Sequence, residues 1–262
     1  MPTVREIEAA LFELAPREGT MEWDNVGHLL GDPRQEVKRC MVALDITHAV
    51  AEEAIAAGCQ LIVSHHPIMN CKWSQMQTVR DDTFQGSLLT RLLRANVSAI
   101  CMHTNLDIAE GGVNDVLAQA LGLQKLECFT SERVCRCGWR AEPMALPEFV
   151  RFVSKALDCN GVRYTDAGKP VHRVAVGGGA CGEFEDAAIA AGCDTFVTAD
   201  LSYHQFLDAA GKGINLIDAG HFPTEDPVCG RLVSYISQCF PEISVEKSTS
   251  HREVIQYYVE GE

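Results

Sequence analysis

AIAAGCQLIVS at Ala54–Ser64 and AIAAGCDTFVT at Ala188–Thr198 are one pattern written twice. Each is a helix end, a glycine cap and an apolar strand closing on a small hydroxyl residue. Working outward, the flanks match in kind. VALD at Val42–Asp45 precedes the first copy and VAVG at Val174–Gly177 the second, and Val97–Asp107 and Ile214–His221 each read as a strand followed by polar residues. The chain therefore reads as two related α/β lobes, over 1–125 and 126–262, whether counted as two domains or one integrated one. A repeat spanning half the chain is far too long for a solenoid.

The remaining pattern agrees. Thr3 and Glu6 form a capping box ahead of Val4, Ile7, Leu11 and Leu14 at helical spacing, and Pro16 ends that helix. Strands at Cys40–Leu44, Leu61–Val63 and Val97–Met102 alternate with helices at His48–Ala57 and Phe84–Ala95. In the second of these helices Leu88, Leu89, Leu92 and Leu93 form the apolar side. Such alternation predicts mostly parallel sheets flanked by crossover helices.

Ligands of open α/β sheets bind beyond the carboxyl ends of the strands. Ser64-His65-His66-Pro67 follows one strand and His103-Thr104-Asn105-Leu106-Asp107 another. Thr198-Ala199-Asp200 and Asp218-Ala219-Gly220-His221 through Glu225 follow two more. These strand ends are expected to converge on a cleft between the lobes. On a regular strand His65 and His66 would point to opposite faces, but Pro67 marks a loop, where both rings can reach neighbouring ions. Pro223 suits a first helical turn, continued by Val228, Leu232 and Ile236, and places Glu225 close to His221. Each group has a plainer reading: a polar loop, a turn-forming Asp107, a helix-start Glu225. Together they form a nitrogen–oxygen donor set that suits zinc, manganese, iron, cobalt or nickel better than magnesium or calcium. His103 and His204 are candidate proton-moving residues near the ions.

Other signals mostly exclude. A formal net charge of −14 and the lack of a dense Lys/Arg run argue against general nucleic-acid binding. Arg5, Glu6, Glu8 and Glu13 leave no room for a secretory apolar region in residues 1–16, and no run of apolar residues is long enough for a membrane span, so a cytoplasmic protein is expected. The 12 cysteines contain no CxxC pair, and most read as small buried residues. Gly177, Gly179 and Gly182 match G-x-G-x-x-G, with Asp200 near the spacing of a ribose-binding acid. However, Glu183, Glu185 and Asp186 would repel a pyrophosphate, which favours a plain glycine turn.

Trp23-Asp24-Asn25-Val26-Gly27, Leu61-Ile62-Val63-Ser64-His65-His66-Pro67, His103-Thr104-Asn105-Leu106-Asp107, and Gly220-His221 with Glu225 together span nearly the whole chain. In that order and spacing the chain resembles the Nif-three-like family, also called GTP cyclohydrolase I type 2 homologues, in its short form without an inserted domain. The resemblance implies a dinuclear metal site at His65, His66, Asp107, His221 and Glu225, two similar α/β lobes and a ring-shaped homohexamer. His28 stands where an apolar residue is usual and Ala199 where glycine is frequent. The expected function is a metal-dependent hydrolase of a small molecule of nucleotide type, with purine-ring opening of GTP the activity that the family name carries. No guanine- or triphosphate-binding motif is legible, and phosphoester or C–N hydrolysis fits the donors equally. The alternative is a non-catalytic metal-binding regulatory or scaffold protein, distinguished by a ligand-saturated site.

Overall fold

The computed structural model describes residues 1–69 and 79–258, so Cys71 lies outside the described residues. In chain order the first helices and strands are α1 (Val4–Leu14), β1 (Gly27–Leu30), β2 (Arg39–Ala43), α2 (His48–Ala56), β3 (Leu61–Ser64), α3 (Phe84–Arg94), β4 (Ser98–Cys101) and α4 (Thr104–Ile108). Then come α5 (Val113–Ala120), β5 (Gln124–Cys128), β6 (Arg136–Met144), α6 (Leu146–Ala156), β7 (Arg163–Thr165) and β8 (Val171–Val176). The chain continues through α7 (Glu185–Ala190), β9 (Thr195–Thr198), α8 (Tyr203–Lys212), β10 (Asn215–Asp218), α9 (His221–Glu225), α10 (Pro227–Cys239) and β11 (Ser244–Lys247). Two compact units result. One holds Met1–Glu110 with Cys229–Arg252, and the other holds Gly111–Val228 with the chain from Glu253 on.

The first unit's sheet runs β1-β4-β3-β2-β11, with β1 antiparallel and the rest parallel. Met41, Ala43, Ile62 and Ala99 pack on one face with Val50, Ala54, Leu88 and Leu92 from α2 and α3. The alternate residues Cys40, Val42, Leu61, Val63 and Ile100 are buried as well, so both faces are covered, as parallel strands require. The second sheet runs β5-β6-β8-β9-β10-β7. Its central strands β8, β9 and β10 are parallel and β5, β6 and β7 are antiparallel additions. Val174, Val176, Val197 and Ile217 enter one core with Phe149 and Val153 of α6. Ala175, Phe196 and Leu216 enter a second core on the opposite face. This is a mixed α/β fold of two sheets flanked by helices.

The duplicated segments fold alike, down to their backbone bonds. Gly58 and Gly192 both adopt positive φ, at 69° and 77°. In the first copy Cys59 N–H donates to Ala54 O at 2.9 Å, and in the second Cys193 N–H donates to Ala188 O at 3.0 Å. These bonds satisfy helix carbonyls that have no partner within the helix. Gln60 N–H then reaches Arg39 O, and Asp194 N–H reaches Arg173 O, which hands each chain to the neighbouring strand. Leu61 ends beside Cys40 and Ser98 in one sheet, while Thr195 stands beside Val174 and Asn215 in the other.

Local signals otherwise hold, with two differences. The Thr3–Glu6 capping box forms as expected, and Val228, Leu232 and Ile236 are buried along α10. Leu93, expected on the apolar side of α3, is 47% exposed. At about 100° per residue it lies a quarter-turn past the centre of the Leu88–Leu89–Leu92 stripe. His103–Asp107, read as a loop, contains the helical turn α4. Among the described residues no helix is long and apolar enough to cross a membrane.

Glu53 on α2 anchors the chain after β11. It accepts hydrogen bonds from Ser248 Oγ, Thr249 N–H at 2.9 Å, Thr249 Oγ1 at 2.7 Å and Ser250 N–H at 3.1 Å. Burial pushes its carboxyl up, but these donors outweigh that and lower it to about 2. The folded value lies below the unfolded one, so the stabilisation is complete above about pH 4.3 and is lost as pH falls through about 2. Glu53→Gln is expected to cost about 1 kcal/mol at pH 7, the modest value of a part-exposed charge. In urea melts the gap from wild type should narrow between pH 5 and 2, and a pH-independent gap would show that the charge is not the cause.

Candidate metal centre

In the first unit β3 and β4 end side by side, and the histidines follow directly. His66 N–H still bonds Leu44 O and Met102 N–H still bonds Ser64 O, both at 2.9 Å, so the ladder runs into the site. His65, His66 and His103 gather there. One ring nitrogen from each lies within 4.8 Å of the others, and the His65 ring is 4.9 Å from that of His66 and 5.2 Å from that of His103. Asp107 on α4 brings Oδ1 to 3.6 Å from His65 Nε2.

Each of these imidazoles is held by its Nδ1. His65 Nδ1 is 2.8 Å from Met102 O. A carbonyl only accepts, so Nδ1 carries the proton and Nε2 faces inward as the lone-pair nitrogen. His66 Nδ1 is 2.8 Å from Asp45 Oδ1, and Asp45 Oδ2 is 2.8 Å from His251 Nε2. His103 Nδ1 is 2.8 Å from Asp24 Oδ1, while Asp24 Oδ2 accepts from Thr104 N–H and Oγ1. Burial raises both carboxyls, yet the bonds from His66 and His251 at Asp45, and from His103 and Thr104 at Asp24, leave each well below the usual carboxylate range. Both are therefore ionised acceptors. Carboxylate or carbonyl at one nitrogen and metal at the other is the common arrangement of ligating histidines.

The second unit repeats the device. Gly220 at φ 89° turns the chain after β10 into the single turn of α9. His221 and Glu225 stand on that turn, one helical repeat apart, with Nε2 to Oε2 at 3.1 Å. His221 Nδ1 is 2.6 Å from Asp200 Oδ2. Glu225 first, then Asp200, favour the protonated ring against the opposing effect of burial and push His221 up to about 9. A divalent cation replacing that Nε2 proton would meet the same carboxylate.

The glycine turn has a packing explanation. Gly179 adopts φ 62°, and a Cβ there would stand 2.2 Å from Glu225 Oε1 and 3.0 Å from His221 Nε2. Its amides are already committed: Gly178 N–H to Asn114 Oδ1, Gly179 N–H to Thr224 Oγ1, Cys181 N–H to Thr198 Oγ1. Those amides are therefore spent inside the fold rather than on a pyrophosphate, and Asp200 holds His221 rather than a ribose. The turn makes room for the His221–Glu225 pair.

Other expected residues separate from the cluster. His204 lies exposed at the start of α8, its ring 5.5 Å from Tyr203, and it joins none of the possible metal-holding groups among the described residues. Trp23, which opens the Trp23-Asp24-Asn25-Val26-Gly27 motif, is 70% exposed, and Asp24 anchors its turn. Sequence reasoning missed Asp24, Asp45, Asp200 and His251 as supports for the histidines. For Asp45 and Asp200 the one available signal was a carboxylate just past a strand end. Among the described residues no cysteine joins the metal-holding groups, whose donors are nitrogen and oxygen. These residues fit a divalent transition metal by tautomer, donor type and support.

A family model described as Duf34/NIF3 (NGG1p interacting factor 3) matches residues 2–253. The chain belongs to the Duf34/NIF3 family. A Streptomyces coelicolor relative named GTP cyclohydrolase 1 type 2 homolog is 34% identical, covering 87% of this chain and 84% of its own. A Clostridium acetobutylicum relative of the same name is 32% identical over 86% and 85%. The crystal structure of a Bacillus cereus protein related to NIF3 is similar with TM-score 0.90 over 98% of this chain and 99% of that one, at 22% identity, a likeness of fold. A Staphylococcus aureus hypothetical protein gives TM-score 0.88 at 26% identity over the same shares.

If Asp45 fixes the His66 ring, Asp45→Asn should weaken divalent-metal affinity about 10–100-fold with an unchanged circular dichroism spectrum. Competition with a chromogenic zinc chelator reads this directly. Native affinity in the variant would mean that the carboxylate does not orient the ligand.

Proposed function

We propose that His65, His66, Asp107, His221 and Glu225 hold two divalent ions, and that the protein is a metal-dependent hydrolase. The observation that carries this reading is the common tautomer lock: His65, His66 and His221 each have Nδ1 tied to an acceptor, and the Nε2 atoms of His65 and His221 face carboxylate oxygens. Five protein donors for two ions would leave coordination positions for substrate, as a catalytic site needs. When bound, the ions polarise a substrate oxygen and lower the pKa of a water toward about 7.

The chain's own groups do the rest. Asp24 holds the His103 ring through Nδ1 beside the other two imidazoles, which supports assigning proton transfer to His103. Hydrolysis adds water across the scissile bond, with hydroxyl going to the electrophilic centre and a proton to the leaving group. His103 would take the proton that the attacking water loses and deliver it to the leaving group. Asp45 and Asp200 keep His66 and His221 in the ligating orientation throughout. The name carried by the relatives makes GTP the first substrate to test, followed by phosphoesters and cyclic amides.

Glu225 would be the shared ligand, because its carboxylate would offset the repulsion between two neighbouring cations. Glu225→Gln keeps size and removes charge, and is expected to release both ions. His66→Ala is expected to empty mainly one position. Elemental analysis of wild type and both variants, with circular dichroism as folding control, reads the outcome. A folded Glu225→Gln that retains two ions would transfer the bridging role to Asp107. Turnover that appears on metal loading and disappears on chelation supports the hydrolase. Two firmly bound ions with no turnover across the substrate panel would reject it in favour of the scaffold reading.

We also expect a homohexamer. Light scattering at micromolar concentration should report about six times the chain mass, and a monomer would reject the ring.

A further inference from the structure

We infer that Trp23 is a stacking platform for the planar ring of a nucleobase-class ligand, with the ligand's polar end directed at the histidine cluster; the polar end rests on the metal reading above, the ring contact does not. A tryptophan ordinarily contributes by burial, yet 70% of Trp23 lies in solvent. Its backbone is fixed all the same. Asp24 N–H bonds Met21 O, Met21 N–H bonds Thr104 Oγ1 at 3.0 Å, and Asp24 Oδ2 holds Thr104. On the other side Asn25 Nδ2 donates to Met69 O at 2.8 Å, tying the turn to the segment after His65-His66. An open indole is thus held rigidly where the two histidine-bearing segments meet. Its ring lies 6.0 Å from His103 at an interplanar angle of 80°, and His103 is 5.2 Å from His65 and 5.6 Å from His66. Stacking on an exposed aromatic accepts any base, and the net charge of −14 disfavours a polynucleotide over a single nucleotide.

The test uses the full-length protein loaded with manganese and titrated calorimetrically with guanosine monophosphate, guanosine, ribose 5-phosphate and inorganic phosphate. Wild type is expected to bind the monophosphate more tightly than ribose 5-phosphate. Trp23→Ala should weaken the monophosphate and guanosine by about 5- to 150-fold, the range for loss of one base–aromatic stack, and leave ribose 5-phosphate unchanged. Trp23→Phe should restore most of the loss. Metal content and light-scattering mass are measured for every variant and should match wild type. If the base adds no affinity in wild type, if Trp23→Ala weakens ribose 5-phosphate equally, or if it changes the assembly mass along with binding, the platform is overturned. Failure of the metal reading shows separately, as a chain that takes up no manganese while guanosine binding still depends on Trp23.

Discussion

Parallel pairing of three adjacent strands is the constraint from which the rest follows. In such a set all carboxyl ends lie on one edge, and the apolar residues that cover both faces leave that edge as the polar outlet. Here the ladder does not stop where the strands do. Met102 N–H still reaches Ser64 O in one unit, and Ala219 N–H reaches Thr198 O at the equivalent place in the other, both at 2.9 Å. His65, His66 and His103 therefore stand on or next to hydrogen-bonded backbone, and His221 follows two residues after such a bond. Side chains placed this way keep their geometry better than side chains on free loops.

Burying imidazoles and carboxylates at that edge costs solvation, and the structure offsets it pairwise. His65 has no exposed surface, and its Nδ1 proton is satisfied by a main-chain carbonyl rather than by solvent. Asp24 and Asp45 are kept ionised because several donors converge on each, which outweighs desolvation. An ionised carboxylate in turn fixes the proton on the near nitrogen of its histidine, which leaves the lone pair on the far nitrogen, the form that binds a cation. Electrostatic support and ligand orientation are one arrangement here, and replacing an aspartate by its amide would disturb both.

The duplicated architecture was legible because its signals are local. A helix end, a glycine cap and an apolar strand lie within eleven consecutive residues in each copy, and near neighbours in sequence determine them. The histidines and acids were legible because they stand just past strand ends. Their supports were not, since Asp24 meets His103 across 79 residues and Asp45 meets His251 across 206. No periodicity links such distant positions. The same applies to β11, which pairs in parallel with β2 from the far end of the chain, and to β5, β6 and β7, whose antiparallel direction depends on tertiary pairing. His204 follows a strand end as His103 does, but the helix that starts at Tyr203 carries it to the surface.

Gly177, Gly179 and Gly182 show why a glycine pattern alone decides little. Glycine tolerates positive φ and close approach, and a pyrophosphate or a protein carboxylate can each exploit that freedom. The difference lies in where the amide hydrogens go. In a phosphate-binding turn they point outward to the ligand, whereas here Asn114, Thr224 and Thr198 consume them inside the fold. What remains useful at Gly179 is the missing Cβ, in the space that Glu225 and His221 occupy. The turn thus serves a carboxylate–histidine pair rather than a phosphate, and only the hydrogen-bond partners, contributed by three separate parts of the chain, distinguish the two.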